Sequence, residues 1–128
     1  MFATGLPRAD HHARCRVAFH RLLDARIPLL TTEVILAETH ALALSRSGTD
    51  RAIRLLRGIA AGPAVEVVAV DAALRRAGVD FLASRPGRSY SLADAISFVV
   101  MRERGMTQAF TLDADFVAEG FEVLPSLL

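Results

Sequence analysis

The 128-residue chain contains no lysine. All fifteen of its basic side chains are arginine, so any mechanism that needs a lysine amine is excluded, including a phosphoacceptor domain of receiver type. Arginine grips phosphate bidentately where lysine acts as a point charge, but a genome-wide codon bias gives the same composition. Cysteine is nearly absent too. Cys15 stands alone, which rules out an internal disulfide or a multi-cysteine zinc site, fits a reducing cytoplasm, and leaves a small buried apolar side chain as its ordinary role. No stretch reaches the roughly 20 uninterrupted apolar residues of a membrane helix, and the N-terminus lacks a basic start followed by an apolar run. A soluble, unexported, cytoplasmic protein is expected. The formal net charge of +1 provides no whole-molecule field to steer it to nucleic acid, so any such binding must be local. There is no glycine-rich phosphate cradle. His11, His12, His20 and His40 have no ligand spacing and read as surface or capping residues.

The length supports one core and hence a single domain over residues 1–128. Segments of helical period alternate with short continuous apolar runs, the pattern of an α/β fold with a parallel sheet. Asp10 can cap a helix over about residues 11 to 25, with Cys15, Ala18, Phe19, Leu22 and Leu23 on one stripe. Leu29 to Thr32 reads as a strand, and Thr32 as the cap of a helix that runs to Ser47 and stops at Gly48. A second helix, Thr49 to Ala61, carries Ala52, Ile53, Leu56, Ile59 and Ala60 on one face and Arg51, Arg54 and Arg57 on the other. Val65 to Val70 is almost all β-branched and predicts a strand covered on both faces, with Asp71 capping a helix to about Ser84. A loop through Arg85 and Arg88 leads to Ser91, the cap of a helix from Leu92 to Arg104. Gln108 to Leu112 predicts a strand, Ala114 to Glu119 a short helix and Phe121 to Leu124 a last strand.

Three carboxylates do not fit a plain core. Glu38 shares its helix face with Val34, Ile35, Ala41 and Leu42, where a charge is costly unless it pairs with an arginine or reaches solvent at the stripe's edge. Asp94 lies on the face of Phe98 and Met101, although Ser91-x-x-Asp94 is also the spacing of a capping box. Asp113 follows a predicted strand, where it can cap the next helix; ligands of open parallel sheets bind beyond the carboxyl ends of strands. All three are expected near one sheet edge. Carboxylates gathered there are best kept ionised by a hard cation, which means Mg2+ or Mn2+, with Asp115 as an auxiliary ligand.

Three stretches then resemble PIN-domain nucleases in the family's order, with the closest likeness to VapC-type toxins: Thr31 to Glu38 (TTEVILAE), Tyr90 to Gly105 (YSLADAISFVVMRERG), and Thr111 to Phe116 (TLDADF) with Gly120 to Leu124 (GFEVL). The resemblance implies a three-layer α/β sandwich with a central parallel sheet flanked by helices. It also implies a metal-dependent endoribonuclease that leaves a 3′-hydroxyl and a 5′-phosphate, is often dimeric and is neutralised by a cognate antitoxin. It assigns Glu38, Asp94 and Asp113 as catalytic metal ligands, with Thr111 and Ser91 in support. Arg85 and Arg88 are candidate RNA contacts, against the plainer reading of a solvated loop.

The departure is at the front. The family opens with an apolar central strand ending in an aspartate ligand, whereas this chain has only MFATGLP before its first helix, and Asp10 is no substitute. The first strand is therefore expected to be missing or displaced. Two readings follow: an incomplete chain, through a start assigned too far downstream or a truncation, or a degenerate protein of impaired activity, in the limit a binding module without turnover that keeps antitoxin or dimer contacts. Reading the genomic frame upstream of Met1 separates them. A short upstream extension encoding an apolar run and an aspartate is expected, and an in-frame stop directly before Met1 would rule out the misassigned start.

Overall fold

The computed structural model describes residue 21, residues 24–111 and residues 113–124. The strand β1 (Leu29–Thr32) runs directly into α1 (Glu33–Ser47); Thr32 Oγ1 accepts a hydrogen bond from the Ile35 N–H at 3.2 Å and so caps the helix. Gly48, at φ 81°, ends α1 in a backbone conformation that a side chain would strain, and α2 (Thr49–Ala61) follows at once. Then come β2 (Val65–Val68), α3 (Ala72–Ala83), α4 (Leu92–Glu103), β3 (Gln108–Phe110), the single turn α5 (Asp115–Ala118) and β4 (Glu122–Leu124). Asp71 caps α3 through the Leu74 N–H at 2.8 Å. These elements follow the predicted order. Of the helix expected over residues 11 to 25, Arg21 and Asp24 are helical; Asp10, Cys15 and the rest of its apolar stripe lie outside the described residues, as do His11, His12, His20 and Leu112.

Both strand pairings are parallel, as the alternation of elements predicts. β1 pairs with β2, Leu29 opposite Val65 and Thr32 opposite Val68; β3 pairs with β4, Gln108 opposite Glu122 and Phe110 opposite Leu124. β1 is buried at all four positions, whereas β2 is half-covered with Glu66 exposed. The expectation that Val65 to Val70 is covered on both faces is thus corrected. Glu66 instead holds Arg104 from the end of α4 in a two-pronged ion pair at 3.0 Å. The apolar face of α2 is also narrower than expected. Ala52 and Ile59 are buried, but Ile53 and Ala60 reach solvent, because α2 has neighbours along only one stripe.

The core centres on α4, where Ala93, Ala95, Ile96, Ser97, Phe98, Val100 and Met101 are all buried. Around Phe98 sit Tyr90 and Phe116, both edge-on at 5.1 and 4.8 Å between ring centroids, and Phe121, stacked at 5.9 Å. Among the described residues no helix is long and apolar enough to cross a membrane.

Helix α3 lies so close to α4 that a Cβ on the buried Gly78 would stand 2.8 Å from Ile96 Cγ1 and 3.2 Å from Leu92 Cδ1. Overpacking of this kind costs roughly 1–3 kcal/mol, so Gly78→Val is expected to lower the unfolding free energy by about 2 kcal/mol in chemical denaturation. Gly58, in α2, has open space around the same position. Gly58→Ala should therefore stabilise by up to about 1 kcal/mol through helix propensity alone. Equal stability of the Gly78 variant and the parent would show that the two helices separate without cost.

Candidate metal centre

Two pieces of chain build the site. The first turn of α4 contributes Asp94. Ser91 Oγ accepts from the Asp94 N–H at 3.1 Å while Asp94 Oδ2 accepts from the Ser91 N–H at 3.3 Å, a complete capping box that fixes the carboxylate's orientation. The connection after β3 contributes the rest. Thr111, buried and paired through its N–H to Leu124 O at 2.9 Å, accepts from the Asp113 N–H through Oγ1 at 3.0 Å. Asp113 Oδ1 in turn accepts from the Asp115 N–H at 2.9 Å, so the chain folds tightly into α5 with both carboxylates held close.

Oxygens of Asp94, Asp113 and Asp115 all lie within 4.8 Å of one another, and all three side chains are half-buried. No other trio of His, Cys, Asp or Glu among the described residues comes as close. Asp115, expected as an auxiliary, is therefore in the tight group. Glu38 stands apart from that trio. It is exposed in the second turn of α1, not seated in a covered apolar stripe; of α1 only Ile35 and Thr39 are fully buried. It still faces the cluster electrostatically, since desolvation and the Asp94 carboxylate both raise its pKa.

The same crowding acts on Asp94 and Asp115. Desolvation first, then Asp113 and Asp115, push Asp94 up against the opposing pull of its Ser91 hydrogen bonds. Asp115 is raised by desolvation and by Asp113, with Arg88 working in the other direction. Oxygen donors alone, gathered and mutually repelling, form the donor set of a hard divalent cation and not of a soft one.

The arginines divide. Arg85 is half-buried and paired: its guanidinium is bound by Glu119 at 3.3 and 3.2 Å and lies 4.6 Å from the centre of the Phe81 ring. Arg88 is exposed and acts on both Tyr90 and Asp115. Arg51, Arg54 and Arg57 are exposed along α2, and His40 is half-buried on α1. Sequence reasoning missed Glu119. In the sequence it reads as a polar residue ending a short helix, and nothing there signals its two arginine partners, 34 and 17 positions away.

A carboxylate whose pKa is raised by folding favours the folded state when protonated. That contribution is present below the ordinary carboxylate range and is lost as pH rises through the raised value. At neutral pH without metal the cluster therefore works against folding. In EDTA at about pH 7, Asp94→Asn, which retains an oxygen to accept from Ser91, is expected to raise the melting temperature by a few degrees, and the advantage should shrink as pH falls toward the carboxylate range. Asp113→Asn should also raise the melting temperature, by removing the charge that acts on both Asp94 and Asp115. If both variants melt below the parent in EDTA, the carboxylates are not crowded.

Residues 8–121 match the PIN domain family model. The chain is 37% identical over 107 residues, covering 82% of its own length and 81% of the relative's, to the 23S rRNA-specific endonuclease VapC20 of Mycobacterium tuberculosis, in strains CDC 1551 / Oshkosh and ATCC 25618 / H37Rv. Its fold is similar to the crystal structure of M. tuberculosis VapC20, described as a Sarcin-Ricin loop cleaving toxin, with a TM-score of 0.73, 30% identity, and coverage of 94% of this chain and 96% of that one. The α/β fold with its parallel strand pairs, the acidic centre and these likenesses agree, and the chain belongs to the PIN-domain family, among its VapC-type members.

Proposed function

We propose that this protein is an endoribonuclease toxin that hydrolyses RNA phosphodiester bonds at the acidic centre, with Mg2+ as cofactor and Mn2+ as a working substitute. The observation that carries the reading is the approach of the Asp94, Asp113 and Asp115 oxygens to within 4.8 Å of one another. Asp94, Asp113 and Asp115 would hold the cation, with Glu38 completing the acidic set from α1. A bound divalent ion supplies charge neutralisation at the phosphodiester and lowers the pKa of a coordinated water.

The remaining work falls to the side chains. Hydrolysis needs water to attack phosphorus in line with the departing 3′ oxygen, leaving a 3′-hydroxyl and a 5′-phosphate. Glu38, exposed and with its pKa raised by desolvation and by Asp94, is suited to take the proton from that water at its carboxylate. Ser91 and Thr111 hold Asp94 and Asp113 in place. Arg88 is the better-placed phosphate contact; Arg85 would have to leave Glu119 to serve as one. The names of the relatives support a structured ribosomal RNA as substrate. A cognate antitoxin protein and a second copy of the chain are the proposed protein partners.

The test is incubation of the full chain with ribosomal RNA and Mg2+. Discrete cuts ending in a 5′-phosphate are expected, abolished by EDTA and restored by Mn2+. Asp94→Asn should slow them at least about 100-fold, because a lost ligand forfeits several kcal/mol of charge stabilisation. Cleavage that persists in Asp94→Asn at the parental rate removes Asp94 from the mechanism. Antitoxin binding with no Mg2+-dependent cutting would favour the inactive binding module instead.

A further inference from the structure

The acidic centre draws like charges from two separate pieces of chain, α4 and the β3–α5 connection, and their repulsion pushes those pieces apart. Phe98 of α4 packs on Phe116 of α5 and holds them together in the core, and Glu119 adds a polar tie. Glu119, four residues beyond Asp115 and joined to it by a backbone hydrogen bond of 3.2 Å, has a side chain only 6% exposed. Burial alone would raise its pKa; hydrogen bonds from Tyr90 and Arg85 and the charges of Arg85 and Arg102 outweigh that and hold it below the usual value.

Its partners come from both ends of α4. Tyr90, the residue before the Ser91 cap, donates its hydroxyl to Glu119 Oε2 at 2.8 Å. Arg102, in the last turn, reaches Glu119 Oε1 at 2.9 Å and the Glu119 carbonyl at 3.3 Å. Arg85 adds the loop before α4, and Phe81 of α3 lies under both guanidinium groups, at 4.6 and 5.3 Å. One buried carboxylate thus ties both ends of the Asp94 helix to the turn that follows Asp113 and Asp115.

We propose that Glu119 and Tyr90 are positioning residues that set the separation of Asp94 from Asp113 and Asp115, and through it the affinity of the centre for a divalent cation. The inference rests on the nuclease reading above. Neither residue belongs to the trio of carboxylates that would hold the cation. Their effect passes through the placement of α4, as partners behind a metal site orient its ligands.

The experiment is a calorimetric titration of the full chain with Mn2+, alongside single-turnover RNA cleavage, at a temperature where circular dichroism shows each variant folded. Glu119→Gln is expected to weaken Mn2+ binding by roughly tenfold and Tyr90→Phe by severalfold, with the cleavage rate falling in step and the RNA KM little changed. Arg104→Ala, which removes the surface pair with Glu66, should match the parent in both. Variants that melt lower yet bind Mn2+ and cleave as the parent does would overturn the positioning role and leave a merely structural one. If Glu119→Gln does not fold, Tyr90→Phe decides alone, since it removes one hydroxyl and leaves both arginines on the carboxylate. A parent that neither binds Mn2+ nor cuts RNA sinks the nuclease reading itself, and this inference with it; a parent that does both beside unaffected variants sinks only the inference.

Discussion

A helix buried along most of its length can present a charge only from its ends, and α4 is under that constraint. From Ala93 to Met101 nearly every side chain is packed, around Phe98 on one side and against Gly78 of α3 on another. Asp94, in the first turn, remains half-buried, close enough to the helix end for a cap and open enough to meet other carboxylates. The rest of the site is arranged around that opening. β3 ends where Asp113 can turn in, and the single turn of α5 brings Asp115 beside it.

Local stability and chemistry share the same atoms here. Asp94 closes a capping box and Asp113 closes a tight turn, so each could be explained as a piece of secondary structure. Each of those bonds also fixes the carboxylate's direction, and both directions lead to the same point. The cost is electrostatic and is borne by the folded state, in the raised pKa values of Glu38, Asp94 and Asp115. Glu119 is the opposite case, a carboxylate more deeply buried whose pKa is lowered because cations and a hydroxyl surround it. Two acidic sites a few residues apart in sequence thus behave in opposite ways, and the difference lies in their neighbours.

Much of this was legible in the residues alone. The caps at Thr32, Asp71 and Ser91 and the stop at Gly48 follow from short-range patterns, because capping and helix period act over a few residues, and the parallel pairing follows from the alternation of strand with helix. The exposure of Glu66, of Ile53 and above all of Glu38 was not legible. A stripe calculated from periodicity shows which side chains share a face, but not how far the covering elements extend.

The sequence by itself determined the kinds of element, their order, and which carboxylates sit at element ends where a charge can be tolerated. Only the tertiary structure decided which of them meet. It placed Asp115 in the tight trio, left Glu38 outside it, and paired Arg85 with Glu119. The physical reason is range: hydrogen bonds that cap a helix are settled within a turn, whereas the Coulomb field at a carboxylate is settled by groups brought close from 17 to 34 residues away.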